Sequence, residues 1–143
     1  MNLAIWDIES SSASTDFGSI IEIGGILVDE NFKEKDRFNF RCRVPEGEIP
    51  QAMALIVNKT SIKQLTQGNL SHYQMLGEVE KIFKKWSPAI FLGWSNIGFD
   101  DEMIRKEFFK GIRYPYITNA SPNKSQVKLF ISLNFFTLPR NKF

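Results

Sequence analysis

The segment Leu3-Ala4-Ile5-Trp6-Asp7-Ile8-Glu9-Ser10 constrains the chain most, because it reads as an apolar strand near the N-terminus that carries two carboxylates two positions apart. Side chains alternate along a strand, so Asp7 and Glu9 share one face while Trp6 and Ile8 take the other. Adjacent carboxylates in a mostly buried strand repel each other and resist leaving water, unless a cation neutralises them or solvent reaches the strand's end. A hard divalent cation such as Mg²⁺ meets that need, since it selects carboxylate oxygens and keeps positions for water and phosphate oxygens. A polar strand end running into a loop is the other reading of the same pair.

A chain of 143 residues with 43% apolar and 24% charged residues suffices for one compact domain with a proper core. No apolar run approaches the roughly 20 residues that cross a bilayer, and the N-terminus lacks the basic-then-apolar pattern of a secretory signal. The expectation is a soluble, intracellular (cytoplasmic) protein with no membrane partner. The single cysteine, Cys42, cannot form an internal disulfide or, alone, a structural zinc site, and reads as strand packing. A net charge of +2 is too small to announce a nucleic-acid binder. Arg37, Arg41 and Arg43, and later Arg105, Lys106, Lys110 and Arg113, form local basic groups that read as solvated faces.

Ser19 to Asp29 is rich in β-branched residues and suits a central strand, and Asp29-Glu30-Asn31 turns the chain into a third strand from Phe38 to Val44. These three form an antiparallel meander. Short helical stretches follow from about Gln51 to Val57 and from Thr60 to Leu65. Ser71 and Gln74 have capping-box spacing, and Tyr73, Leu76, Val79, Phe83 and Trp86 fall on one helical stripe. Ser87-Pro88 stops that helix, and Ala89 to Trp94 reads as a buried strand that a right-handed crossover sets parallel to the first. A loop from Asn96 to Phe99 leads into a helix from Asp101 to Lys110, acidic in its first turn and basic in its last. Ligands of such α/β sheets gather at strand carboxyl ends, where Asp7, Glu9 and Asp100 can converge.

Three stretches carry a resemblance to a known family: Trp6-Asp7-Ile8-Glu9, the Ile-Pro-Gln-Ala-Met-Ala-Leu-Ile segment from Ile49, and Gly93-Trp94-Ser95-Asn96-Ile97-Gly98-Phe99-Asp100-Asp101-Glu102. With Arg105, Phe108 and Tyr114-Pro115-Tyr116 they resemble the DEDD (DnaQ-like) 3′–5′ exonuclease superfamily, in particular its exonuclease I branch, from about Leu3 to Tyr116. The resemblance implies an α/β, ribonuclease-H-like mixed sheet, a three-strand antiparallel meander plus a parallel strand with flanking helices. It also implies removal of nucleotides from 3′ ends of single-stranded DNA, with two Mg²⁺ or Mn²⁺ ions held by four carboxylates. Asp7 and Glu9 then carry the first motif and Asp100 the second, with Asp101 left as a helix cap. Two such cations would stabilise both oxygens of an in-line phosphoryl displacement. Ile8, Ser10, Asn96 and Phe99 are the candidate substrate contacts. Phe99 reads either as a core anchor or as a wall of the nucleotide pocket, and Asn96 either fixes its loop or touches substrate.

The chain departs from the family pattern in its last motif, which supplies a histidine as general base and a fourth carboxylate five residues later. No Asp or Glu follows Glu107, and the sole histidine, His72, stands at a helix start far upstream, where an exposed terminal residue is expected. Residues 1–123 are therefore read as a partial exonuclease-like domain and 124–143 as a divergent or truncated tail, in which Val127, Leu129, Ile131 and Leu133 alternate as in a strand. A fold incomplete toward its C-terminus and weakened or absent nuclease activity follow from that reading. The competing function is a catalytically lapsed domain that still binds a single strand by stacking and basic contacts. RNA is not excluded as substrate, and oligomeric state is not legible.

Overall fold

The computed structural model describes residues 1–67, 70–93 and 98–119. Two largely apolar runs and a charged third strand that carries Phe38 and Phe40 form the antiparallel meander: β1 (Asn2–Ser10), β2 (Ile20–Val28) and β3 (Glu34–Arg41). Two short helices, α1 (Ala52–Val57) and α2 (Ile62–Thr66), precede the long helix α3 (His72–Trp86), which leads to β4 (Ala89–Gly93) and α4 (Asp100–Lys110). A 3₁₀ turn at Ile117–Asn119 follows. The sheet order is β3-β2-β1-β4, with β4 parallel to β1 and the other pairs antiparallel, as the crossover argument requires. The architecture is the α/β mixed sheet with flanking helices expected from the sequence.

The two faces of β1 differ in what they meet. Ala4, Trp6 and Ile8 point into a core shared with Met75, Leu76, Val79, Phe83 and Trp86 of α3 and Met103, Ile104 and Phe108 of α4. Phe83 is the hub of that core, with ring centroids 5.8 Å from Trp6, 6.0 Å from Phe38, 6.3 Å from Trp86 and 4.9 Å from Phe91. Gly25 lets β2 approach this cluster, because a Cβ there would lie 2.9 Å from Phe38 Cε1 and 3.1 Å from the Ile5 carbonyl. The opposite face carries Asp7 and Glu9. Alternation thus sorts the strand, sending Ala4, Trp6 and Ile8 into the core and setting Asp7 and Glu9 on the other face beyond the half-buried Leu3 and Ile5.

Helix α3 starts where the sequence placed it, because both halves of the Ser71–Gln74 capping box form. Its buried stripe is Met75, Leu76, Val79, Phe83 and Trp86, so the expectation for Tyr73 fails: its ring is 63% exposed and lies under the Arg113 guanidinium at 4.6 Å. The third strand begins and ends earlier than expected. Beyond Arg41, Cys42 still donates its N–H to the Ile21 carbonyl of β2 at 3.0 Å but bridges to Leu70 on its other side, and it is completely buried. Burial there pushes the Cys42 thiol up to about 12, consistent with a packing role. Among the described residues no helix is long and apolar enough to cross a membrane.

The basic groups are largely paired rather than simply solvated. Arg41 pairs with Glu22 and Arg37 with Glu34. Lys106 pairs with Asp16 and Glu102, both at 2.6 Å, and Arg113 meets Glu80 at 2.5 Å. Residues 124–143, with the strand alternation read for Val127 to Leu133, lie outside the described residues.

Candidate active site

Asp7 and Glu9 stand on the open face of β1, opposite Gly24 and Glu22 of β2. Cross-strand partners share a face, and Gly24 itself adds no side chain opposite Asp7. Asp7 is exposed and Glu9 half-buried. Glu22 is neutralised by Arg41, which donates from Nε at 2.9 Å. Glu9 is raised above the ordinary carboxylate value by burial first, then by Asp7 and Glu22, with Arg41 opposing. The strand therefore does concentrate negative charge, as the spacing of the two acids implies.

The third carboxylate arrives through the crossover. β4 ends at Gly93, paired with Trp6, so the chain leaves the sheet level with the acidic end of β1. It re-enters at α4, whose first residue is Asp100, 7% exposed. Burial pushes the Asp100 carboxyl up to about 7, and the charges of Asp7, Asp101 and Glu9 push in the same direction. Carboxylates of β1 are thus close enough to α4 to add to the proton affinity that burial gives Asp100.

Asp101 is not the cap of α4. The N-cap is Phe99, which makes no side-chain capping bond, and Asp101 Oδ1 instead accepts from the Thr118 hydroxyl at 3.1 Å. The long-range partner in the 3₁₀ turn, which local spacing does not display, decides its role. Phe99 is half-buried and packs against the core, as one of its two readings had it. Ile8 is 7% exposed and sits in the core, and the Ser10 hydroxyl donates to the Ser12 carbonyl at 2.7 Å, so neither turns its side chain toward the open face. Asn96 lies outside the described residues.

His72 departs from its expected exposure. Its Nε2 lies 2.6 Å from Glu107 Oε2, with side-chain exposures of 16% and 2%, so the helix start is docked against α4 rather than open to water. Sequence reasoning also missed the loop that ties the end of β1 to its surroundings. Ser11 and Ser19 donate to Glu48, Gln51 donates its N–H to the Ser11 carbonyl at 2.8 Å, and Asn58 donates to the Ser10 carbonyl at 2.8 Å. The serine-rich run after Glu9 was the available signal, since closely spaced serines serve backbone turns.

Hard oxygen donors, with Glu9 and Asp100 both raised above the ordinary carboxylate value, suit a divalent cation in charge and donor type. Among the described residues, however, no group of three His, Cys, Asp or Glu side chains stands in a ready-made ligand arrangement.

No family model matches the chain. It is 21% identical over 127 residues to exodeoxyribonuclease I of Buchnera aphidicola subsp. Schizaphis graminum, covering 88% of this chain and 26% of that protein. It is 24% identical over 113 residues to exodeoxyribonuclease I of Haemophilus influenzae, covering 78% of this chain and 24% of that protein. Among solved structures, E. coli exonuclease I in complex with a dT13 oligonucleotide gives a TM-score of 0.74 at 20% identity over 80% of this chain and 25% of that one. The same enzyme in complex with a 5cy-dA13 oligonucleotide gives 0.76 at 19% identity over 85% and 26%. The chain spans about a quarter of the length of the relatives it matches. In sequence and in fold it resembles the exonuclease I branch of the DnaQ-like superfamily, with the ribonuclease-H-like sheet of that branch.

Proposed function

We propose that this chain carries part of a metal-dependent 3′–5′ exonuclease site that hydrolyses phosphodiester bonds at the 3′ end of single-stranded DNA. The observation that supports this reading is the raised proton affinity of Asp100, caused by burial together with Asp7 and Glu9 of a separate strand. Asp7, Glu9 and Asp100 would hold Mg²⁺ or Mn²⁺, which supplies electrostatic stabilisation for in-line phosphoryl displacement when bound. The chain's own contribution is placement. Ile8, anchored in the core, keeps Asp7 and Glu9 on the open face, and α4 delivers Asp100 from the side. Asn96 is proposed as a substrate contact, while Phe99 serves as a core anchor and Ile8 and Ser10 would reach the terminal nucleotide only through their backbone.

A second reading, a lapsed single-strand-binding domain, draws on a specific observation. The sequence holds no Asp or Glu after Glu107, and its sole histidine is engaged by that same glutamate. A labelled single strand incubated with the chain and Mn²⁺ or Mg²⁺ separates the two. Release of mononucleotides that Asp7→Ala abolishes, with strand binding retained, supports the exonuclease. A wild-type chain that binds the strand yet never shortens it supports the lapsed domain, and one that does neither refutes both. Deoxyribose and ribose strands run in parallel report the sugar preference.

A further inference from the structure

The His72–Glu107 contact joins the first residue of α3 to the last half of α4, and no part of the proposed chemistry uses it. Glu107 is 2% exposed, yet its carboxyl lies below the ordinary value: burial raises it, and His72 with Lys110 more than offsets that. Lys110 Nζ reaches Oε1 at 3.1 Å from a half-exposed position on the same helix, whereas His72 comes from another element. Cys42 is near enough to feel the Glu107 charge and is itself neutral and fully buried. His72 is thus the one inter-element partner of Glu107 that these contacts provide.

Glu107 lies seven residues after Asp100, about two turns of helix, so both occupy the same face of α4 with Met103 and Ile104 between them. A helix held at one such position cannot rotate without carrying the other with it. The opposite flank of α4 is held by Lys106 and Glu102 against Thr15 and Asp16, a screened surface cluster. Deleting one partner of a close polar contact removed from water leaves the other stranded there, which costs more than losing an exposed pair.

We propose that His72 is a positioning residue for the carboxylate site, acting through Glu107 to fix the rotation of α4 and hence the approach of Asp100 to Asp7 and Glu9. The significance of Asp100 rests on the proposed function, but the mechanical claim does not. Amide hydrogen exchange in the metal-free chain tests it, comparing Met103 and Ile104, at the first intrahelical bonds of α4, with Val79 in the middle of α3. His72→Gln accelerates exchange at Met103 and Ile104 at least tenfold relative to Val79, and the swap His72→Glu with Glu107→His returns the ratio toward that of the parent. Should His72→Gln fail to fold, Glu107→Gln is read in the same way. An unchanged ratio, or all three amides accelerating together as in a merely structural pair, overturns the proposal.

Mn²⁺ titration of the same folded proteins adds a second arm. Binding at least fivefold weaker in His72→Gln than in the parent supports positioning, and equal binding overturns it. A parent that binds no Mn²⁺ overturns the metal reading of the site, while the exchange ratio still decides the role of His72.

Discussion

Replacing Asp100 by asparagine removes a charge that the fold holds at a cost while keeping the side chain's size. The ordinary aspartate value is 3.8 and the folded value is about 7, so the unfolded chain gives up this proton more readily than the folded one. The linkage sign follows directly. Asp100 costs nothing below pH 3.8, where it is protonated in both states; the cost grows as pH rises and levels off above about 7. Each pH unit in that window adds about 1.4 kcal/mol, giving an upper bound of about 4 kcal/mol at pH 8. Asp100→Asn is therefore expected to be more stable than the parent at pH 8 in a chelating buffer, by about 2 to 4 kcal/mol. Urea denaturation of both proteins between pH 4 and 8 measures the difference, and subtracting one curve from the other cancels groups that titrate in both. Added Mn²⁺ should raise the parent's stability and leave the variant's nearly unchanged, since ligand binding to the folded state stabilises by mass action. A variant no more stable than the parent at pH 8, or a difference that does not grow between pH 4 and 7, would refute the clustering of Asp100 with Asp7 and Glu9.

Phe83→Ala opens the centre of the aromatic cluster formed with Trp6, Phe38, Trp86 and Phe91. It should cost about 3 to 5 kcal/mol in urea denaturation, and a loss under 1 kcal/mol would contradict its place as the hub. Gly25→Ala sets a Cβ 2.9 Å from Phe38 Cε1 and 3.1 Å from the Ile5 carbonyl. Its strain should lower stability by about 1 to 3 kcal/mol, and a thermal melt unchanged from the parent would show that β2 has room there.

Much of the fold was legible because its signals are local. The Ser71–Gln74 capping box located the start of α3, and the alternation in Leu3–Ser10 sorted β1 into a core face and an acidic face before any contact was known. The length of the third strand was not legible, because it is set by pairing rather than composition: the ladder with β2 runs to Arg41, and Cys42 keeps one bond to Ile21 while bridging to the distant Leu70. Tyr73 has the right helical phase for burial, yet the polypeptide after α4 places Arg113 over its ring instead of core.

What the sequence by itself determined is which residues can bear charge on one strand face and that a crossover returns a second group of acids to the same end of the sheet. Those are matters of period and connectivity, which a chain carries in its order. Only the tertiary structure decided that Asp101 serves Thr118 rather than the helix start, and that His72 is docked on Glu107 rather than exposed. Both depend on partners 17 and 35 residues away in sequence, one in a 3₁₀ turn and the other on a different helix. An ionisable side chain takes its role from the charges folded against it, and those come from parts of the chain that its own neighbourhood does not specify.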